Sequence, residues 1–417
     1  MIRKYLYGTP FPTSAVVTDI PPSTEQLPFF ETDSKGTFTY PLQNEDIVYG
    51  LGEQIRGINK RGWQYVSWNS DNPNHQEDTR SLYGAHNFIL ISGSQTFGAF
   101  FDNPGRMEFD IGYTHGNRMQ IRAEKNDLTV YIITGQDEKH IVKQFRQLIG
   151  RSYVPPFWAF GYGQSRWGYQ NEQDVRQVAQ QYQAAGIPLD SIYLDIDYME
   201  RYKDFTVDPK RFPDLGKLVQ DMRTQGIRLV PIIDAGVKIE TGYDVYQEGV
   251  AHNYFCKNAE GKDFVGAVWP GRVHFPDFLQ PEARDWFGKK YAVLTDLGIE
   301  GFWNDMNEPA IFYTEDRLAE TCSEIQRLTA GNMGIDEYFA FTGMVAGLNG
   351  NKGDYDKFYH NVAGKMVKHS DVHNLYGMNM TRSAYEALRE ICPDKRTLFF
   401  SRSSYIGAHR YGGIWQG

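Results

Sequence analysis

Residues 295–308 read TDLGIEGFWNDMNE, an apolar run that ends abruptly in carboxylates. The same grammar occurs twice before it, in QAAGIPLDSIYLD at 183–195 and RTQGIRLVPIID at 223–234. Each segment has the end of an amphipathic helix, then Gly-Ile, then a strand closing on aspartate. Gly186, Gly226 and Gly298 stand where a helix C-terminus needs a left-handed residue. Helix alternating with apolar strand predicts a parallel sheet with helices outside it. FWAFGYGQS at 157–165 and RTLFFSRS at 396–403 supply two more strands, and GGIWQG at 412–417 reads as the start of a sixth. A (β/α) barrel accounts for this better than a Rossmann sheet, and in such barrels the working residues lie at strand C-termini. Asp195, Asp234 and Asp305 all fall there.

The glycine spacing is uneven: 40 residues separate Gly186 from Gly226, and 72 separate Gly226 from Gly298. An insertion is therefore expected after the third strand, at about 236–280. Residues 1–135 read differently, as short β-branched and aromatic runs such as GTFTYPL, DIVYGLGE and DLTVYIITG, punctuated by Gly, Pro and Asn. That pattern predicts an antiparallel β-sandwich. A linking helix follows within 136–154, with Ile141, Val142, Phe145 and Leu148 on one side. The catalytic barrel is expected over 155–417.

Composition narrows the function classes. A formal net charge of -9 and a pI near 5.6 argue against nucleic acid as a partner. No apolar stretch approaches the ~18 residues of a membrane span, and MIRKYLYGTPFPT lacks the apolar core of a signal peptide. Three widely spaced cysteines suit unpaired thiols in a reducing compartment and offer no metal spacing. The expectation is a cytoplasmic protein with neither metal nor cofactor; homo-oligomerisation is compatible with it.

An isolated aspartate at a strand end could simply cap the next helix or receive an arginine. Three at neighbouring strand ends, each after a nearly uncharged run, point instead to a ligand, because an unpaired buried carboxylate is costly. Trp303 stands two residues before Asp305, and Trp167 and Trp269 occupy Gly-rich loops after strands. Carboxylates to accept hydroxyl hydrogen bonds and indoles to cover C–H faces are what a polyhydroxylated ring requires. GYGQSRWG lacks the third glycine of a dinucleotide fingerprint, and HSDVH at 369–373 lacks the glutamate of a zincin helix. Two other readings stay open from the residues alone: acids holding Mg²⁺, and a sugar-binding protein without turnover.

GFWNDMNEP at 301–309 resembles the nucleophile signature of glycoside hydrolase family 31, whose members are mostly α-glucosidases and α-xylosidases. VYGLGE at 48–53 resembles the family's sandwich motif, and GIPLDSIYLDIDYM, AVWPGRVHFPDF, HNLYG and FFSRSSYIGAHRYGGIWQG resemble its barrel blocks in order. The resemblance implies a β-sandwich followed by a (β/α)8 barrel interrupted after its third strand. It implies retaining, exo-acting hydrolysis of terminal α-linked glucose from a small oligosaccharide; an α-xylosidase or transglycosylase would share the motifs. Asp305 aligns with the nucleophile. Asp195, Ile196, Ile232, Asp234, Trp269, Met306 and Arg402 align with the sugar pocket, and Asp71 with a sandwich-loop acid. Trp167 is a further candidate for shaping the aglycone side. Asp197 and Glu308 are expected to support neighbours. The general acid belongs to a W-x-G-D block, here opening at Trp415, whose aspartate would follow Gly417. The chain is therefore expected to be a fragment, truncated near the sixth strand and inactive alone.

Overall fold

The computed structural model describes residues 1–415. The chain divides into two compact units. The first comprises Met1–Tyr153, Ser370–Met378 and residues from Ser401 onward; the second comprises Val154–His369 and Asn379–Phe400. Two stretches from late in the sequence thus belong with the N-terminal unit, which a single boundary near residue 155 does not capture.

The first unit holds two antiparallel five-stranded sheets. One runs in the order Ile2–Tyr7, Leu128–Thr134, Phe97–Asp102, Phe88–Ser92, Ile47–Gly50; the other runs Glu31–Thr32, Thr37–Pro41, Arg118–Ala123, Met107–Ile111, Trp63–Ser67. Alternation decides which side chains go inward. On Met107–Ile111 the residues Met107, Phe109 and Ile111 are buried, and the two between them are not. They join Phe38, Tyr40, Phe97, Phe101, Ile121 and Val130 in one core. Phe97–Asp102 is buried on both faces, because the helix Glu138–Ile149 covers its outer side. Phe145 stacks on Phe88 at 3.9 Å between ring centroids, and a Cβ at Gly98 would stand 2.8 Å from Ile141. Asp137 caps that helix by accepting the His140 N–H at 2.7 Å. Val142 is 42% exposed; the buried stripe is Ile141, Phe145, Leu148 and Ile149.

Polar bonds tie the late segments into this unit. Asn374 Oδ1 accepts the Asn69 N–H at 2.9 Å, and Asn69 Nδ2 donates to Ser403 Oγ at 2.6 Å. Asp102 Oδ1 accepts from Thr13 at 2.8 Å and from the Tyr405 hydroxyl at 2.9 Å.

In the second unit, Gly163–Gln164, Ser191–Leu194, Arg228–Ile233 and Gly301–Asn304 are successive parallel neighbours, the curled sheet of a partial barrel. Helices Glu172–Ala184 and Leu215–Thr224 connect them, capped by Asn171 and Asp214. Gly186, Gly226 and Gly298 all take positive φ, at 67°, 83° and 94°, as a left-handed helix terminus demands. The chain leaves the barrel twice. After Arg228–Ile233 come a three-stranded antiparallel sheet (Val237–Lys238, Gly271–His274, Gly266–Val268) and the helix Asp244–Ala251. After Gly301–Asn304 come helices Glu315–Thr329 and Ile335–Ala346, an excursion the glycine spacing does not signal. Among the described residues no helix is long and apolar enough to cross a membrane.

Burial outweighs the hydroxyl donors at Asp102 and pushes its carboxyl up to about 6. The folded state therefore holds this proton more tightly than the unfolded chain, and stability is lost as pH rises through the interval between the two pKa values. Relative to Asp102→Asn, the wild type should lose about 2 kcal/mol between pH 4 and pH 7, then stay level. Urea unfolding of both proteins across that range checks it; a constant difference would refute the assignment.

Candidate active site

Strand register fixes the acids of the second unit. Ile232 lies opposite Trp303 and Ile233 opposite Asn304. Asp234 and Asp305 are the next residues on these strands, and the Asp305 N–H donates to the Ile233 carbonyl at 3.1 Å. Two carboxylate-bearing residues therefore leave adjacent strands abreast. On the other flank Leu194 pairs with Pro231, so Asp195 is level with Ile232, two residues short of the other two. Asp234 is 1% and Asp305 7% exposed. Ile196, Ile232, Trp303 and Met306 are buried around them.

Asp195 caps a short 3-10 turn, Ile196–Tyr198, accepting the Ile196 N–H at 2.8 Å. Burial pushes its carboxyl up to about 6, the nearby Asp197 charge adding to the rise and the Ile196 N–H opposing it. Met306 sits at φ 56°, a left-handed conformation that costs an L-residue ~1–2 kcal/mol and turns the chain sharply after Asp305. Glu308 is fully buried at 0% exposure.

Two tyrosines hold the strand ends from behind. The Tyr198 hydroxyl donates to the Ile232 carbonyl at 2.8 Å, and the Tyr291 hydroxyl to Asn304 Oδ1 at 2.7 Å. No periodicity in the sequence marks these two residues.

Asp197 anchors the loop that carries Trp167. Its carboxylate pairs with Arg211 at 3.0 Å and accepts from Gln170 Nε2 at 2.8 Å. A Cβ at Gly168 would stand 2.2 Å from Asp197 Oδ2, so only glycine lets the loop approach so closely. Trp167 is then left 67% exposed, its ring 5.6 Å from that of Trp269, itself 38% exposed. Phe312 meets Trp269 edge-on at 4.9 Å. Two neighbouring exposed indoles offer the flat apolar faces on which a sugar ring can rest.

In the first unit, Asp71 and Arg402 come together at 3.6 Å, both side chains largely buried. The Arg402 guanidinium also lies 4.9 Å from the centre of the Tyr83 ring. The Trp415 N–H donates to the Ser401 carbonyl at 3.0 Å. Gln416 and Gly417, the rest of the block opening at Trp415, lie outside the described residues.

His369 and His373 do not converge. His369 Nδ1 is 2.9 Å from His360 Nε2, whereas His373 stacks on Trp68 and reaches the Asn69 carbonyl. Cys256, Asp277 and His360, far apart in sequence, do bring metal-capable atoms within 4.8 Å of one another. His360 Nδ1 and Asp277 Oδ1 are 2.6 Å apart, a hydrogen bond that satisfies both without an ion.

Residues 152–417 match the Glycosyl hydrolases family 31 TIM-barrel domain, and residues 18–110 the Glycosyl hydrolase 31 N-terminal galactose mutarotase-like domain. Alpha-glucosidase 2 of Bacillus thermoamyloliquefaciens is 37% identical over 378 residues, covering 90% of this chain and 43% of that protein. The alpha-glucosidase of Saccharolobus solfataricus is 26% identical over 424 residues, covering 100% and 58% respectively. Among solved structures, a Flavobacterium johnsoniae GH31 dextranase complexed with glucose superimposes with a TM-score of 0.76 at 27% identity, covering 94% of this chain and 43% of that one. The chain thus spans about half the length of these relatives. With both parts of the chain matched and the strand-end acids in place, the chain belongs to glycoside hydrolase family 31.

Proposed function

We propose that the protein is a retaining, exo-acting α-glucosidase that removes terminal non-reducing α-linked glucose, with Asp305 as nucleophile. The observation carrying this reading is the register that sets Asp305 abreast of Asp234. A Asp305 carboxylate oxygen bonds to the anomeric carbon as the glycosidic C–O bond breaks. The leaving oxygen takes a proton from a second carboxyl, about 5–5.5 Å from the first in retaining enzymes. Water then cleaves the glycosyl ester, returning its proton to that second group, and the two inversions give net retention.

Asp234 and Asp195 are read as acceptors for ring hydroxyls, with Ile196, Ile232, Trp303 and Met306 closing the apolar sides. Glu308, buried at 0% exposure, is assigned a supporting role. The proton donor is assigned to the W-x-G-D block opening at Trp415. Asp71 and Arg402, which pair with one another, are proposed as further sugar contacts. A small oligosaccharide is the proposed partner, and the cytoplasm the proposed location.

Fluoride departs with little help from an acid, so a 5-fluoro-α-glucosyl fluoride tests the nucleophile on its own. Incubated with the intact protein and digested, it should leave the label on the peptide containing Asp305; label on Glu308 or Asp195 would sink the assignment. The raised Asp195 pKa gives a second check. Its acceptor form exists above about 6, so kcat/KM should fall about tenfold from pH 7 to pH 5. That limb should disappear in Asp195→Asn, and an identical limb in the variant would assign it elsewhere. Replacing the exposed Trp167 by Tyr should change the maltose-to-isomaltose rate ratio severalfold; an unchanged ratio would remove Trp167 from the aglycone site.

A further inference from the structure

Asp204 lies on the loop after the Ser191–Leu194 strand and has no exposed surface. Its Oδ1 accepts the backbone N–H of Asp234 at 2.8 Å, and its carbonyl accepts the Tyr243 hydroxyl at 2.8 Å. The loop that delivers it is strained: Arg201, Tyr202 and Phe205 all take left-handed φ, at 54°, 62° and 59°, where non-glycine residues are uncommon. Several contacts hold it there. Glu240 pairs with Arg201 and, at 3.1 Å, with Lys203. The Thr206 hydroxyl donates to the Lys203 carbonyl at 2.6 Å, and Phe205 packs edge-on against Phe287 and Tyr291 at 5.0 and 5.2 Å.

The titratable groups facing Asp204 are Asp234, Tyr198, Tyr243 and Tyr291. Lys203, the adjacent cation, pairs with Glu240 and Glu200. The second carboxyl oxygen of Asp204 meets no hydrogen-bond donor among the described residues. The Asp234 N–H favours the ionised form, but burial outweighs it and drives the carboxyl far toward its protonated form. Strain around a carboxyl that binds a backbone group suggests the placement matters more than the charge.

We propose that Asp204 is a positioning residue for Asp234. Its carboxyl fixes the strand end from which Asp234 meets the sugar, by accepting a hydrogen bond and not by charge. What Asp234 binds rests on the α-glucosidase reading above; the fixing of its backbone does not. Asp204→Asn keeps the acceptor oxygen and abolishes ionisation, whereas Asp204→Leu fills the space without an acceptor.

In the intact protein, with near-ultraviolet circular dichroism confirming native packing, the Asn variant should keep kcat/KM on p-nitrophenyl α-glucoside within about threefold and preserve the pH profile. The Leu variant should lose kcat/KM by roughly thirtyfold or more. Hydrogen exchange of the Asp234 amide, resolved by mass spectrometry, should be slow in wild type and Asn variant and faster in the Leu variant. This second readout needs no substrate, so it decides the positioning role even where no α-glucoside is turned over. An Asn variant as impaired as the Leu variant, or with a shifted acid limb, would show that Asp204 acts through charge. A Leu variant with a protected Asp234 amide would equally overturn the proposal.

Discussion

The candidate site depends on one parallel pairing, that of Arg228–Ile233 with Gly301–Asn304. Parallel strands that share a register present equivalent positions at the same height, and the chain has placed an aspartate at the first position beyond the ladder on both. The hydrogen bond from Asp305 N–H to the Ile233 carbonyl is the last rung. A slip of one residue would send one carboxylate to the opposite face of the sheet. Register is therefore where fold and chemistry meet, and much of the surrounding polar structure serves to hold it.

Those supports have a common character. Tyr198, Tyr291 and Asp204 each direct a polar group at strand-end backbone or at the Asn304 side chain, and all are buried. Each satisfied bond inside a low-dielectric interior is costly to break, because the orphaned partner finds no water. The ends of the strands are thus fixed by groups with no role in the chemistry. The Asp197 clamp does the same for the Trp167 loop, using a charge pair and a glycine with no space for a side chain.

Periodic features were legible in the sequence. The thrice-repeated Gly-Ile-strand-Asp pattern gave the parallel units, their left-handed helix ends and the three strand-end acids, because each is dictated within about a dozen residues. The alternating runs before residue 135 likewise gave the sandwich. Three kinds of feature were not legible. Val142 sits one position off the buried stripe, where an apolar residue alone does not reveal its face. The helices between Glu315 and Ala346 leave no trace in the glycine spacing. The attachment of Ser370–Met378 and the segment after Ser401 to the first unit rests on Asn69, Asn374, Ser403 and Tyr405. Such polar residues acquire meaning only when distant segments meet, and the same holds for Asp204, Asn304 and the Cys256–Asp277–His360 group.

The Trp167–Trp269 pair has a consequence outside binding. The chain has eight tryptophans, and Trp167 is the most exposed of the indoles at the surface. Two indoles 5.6 Å apart couple electronically, while Trp303, at 5% exposure, is shielded from collisional quenchers. Acrylamide should draw down the emission of Trp167 first, then that of the comparably exposed Trp63 and Trp269, leaving a residual signal from the interior. Any molecule resting on those rings would shield them and alter their coupling. Changes at this pair of rings are thus readable from the protein's own emission, without a label or a chromogenic substrate.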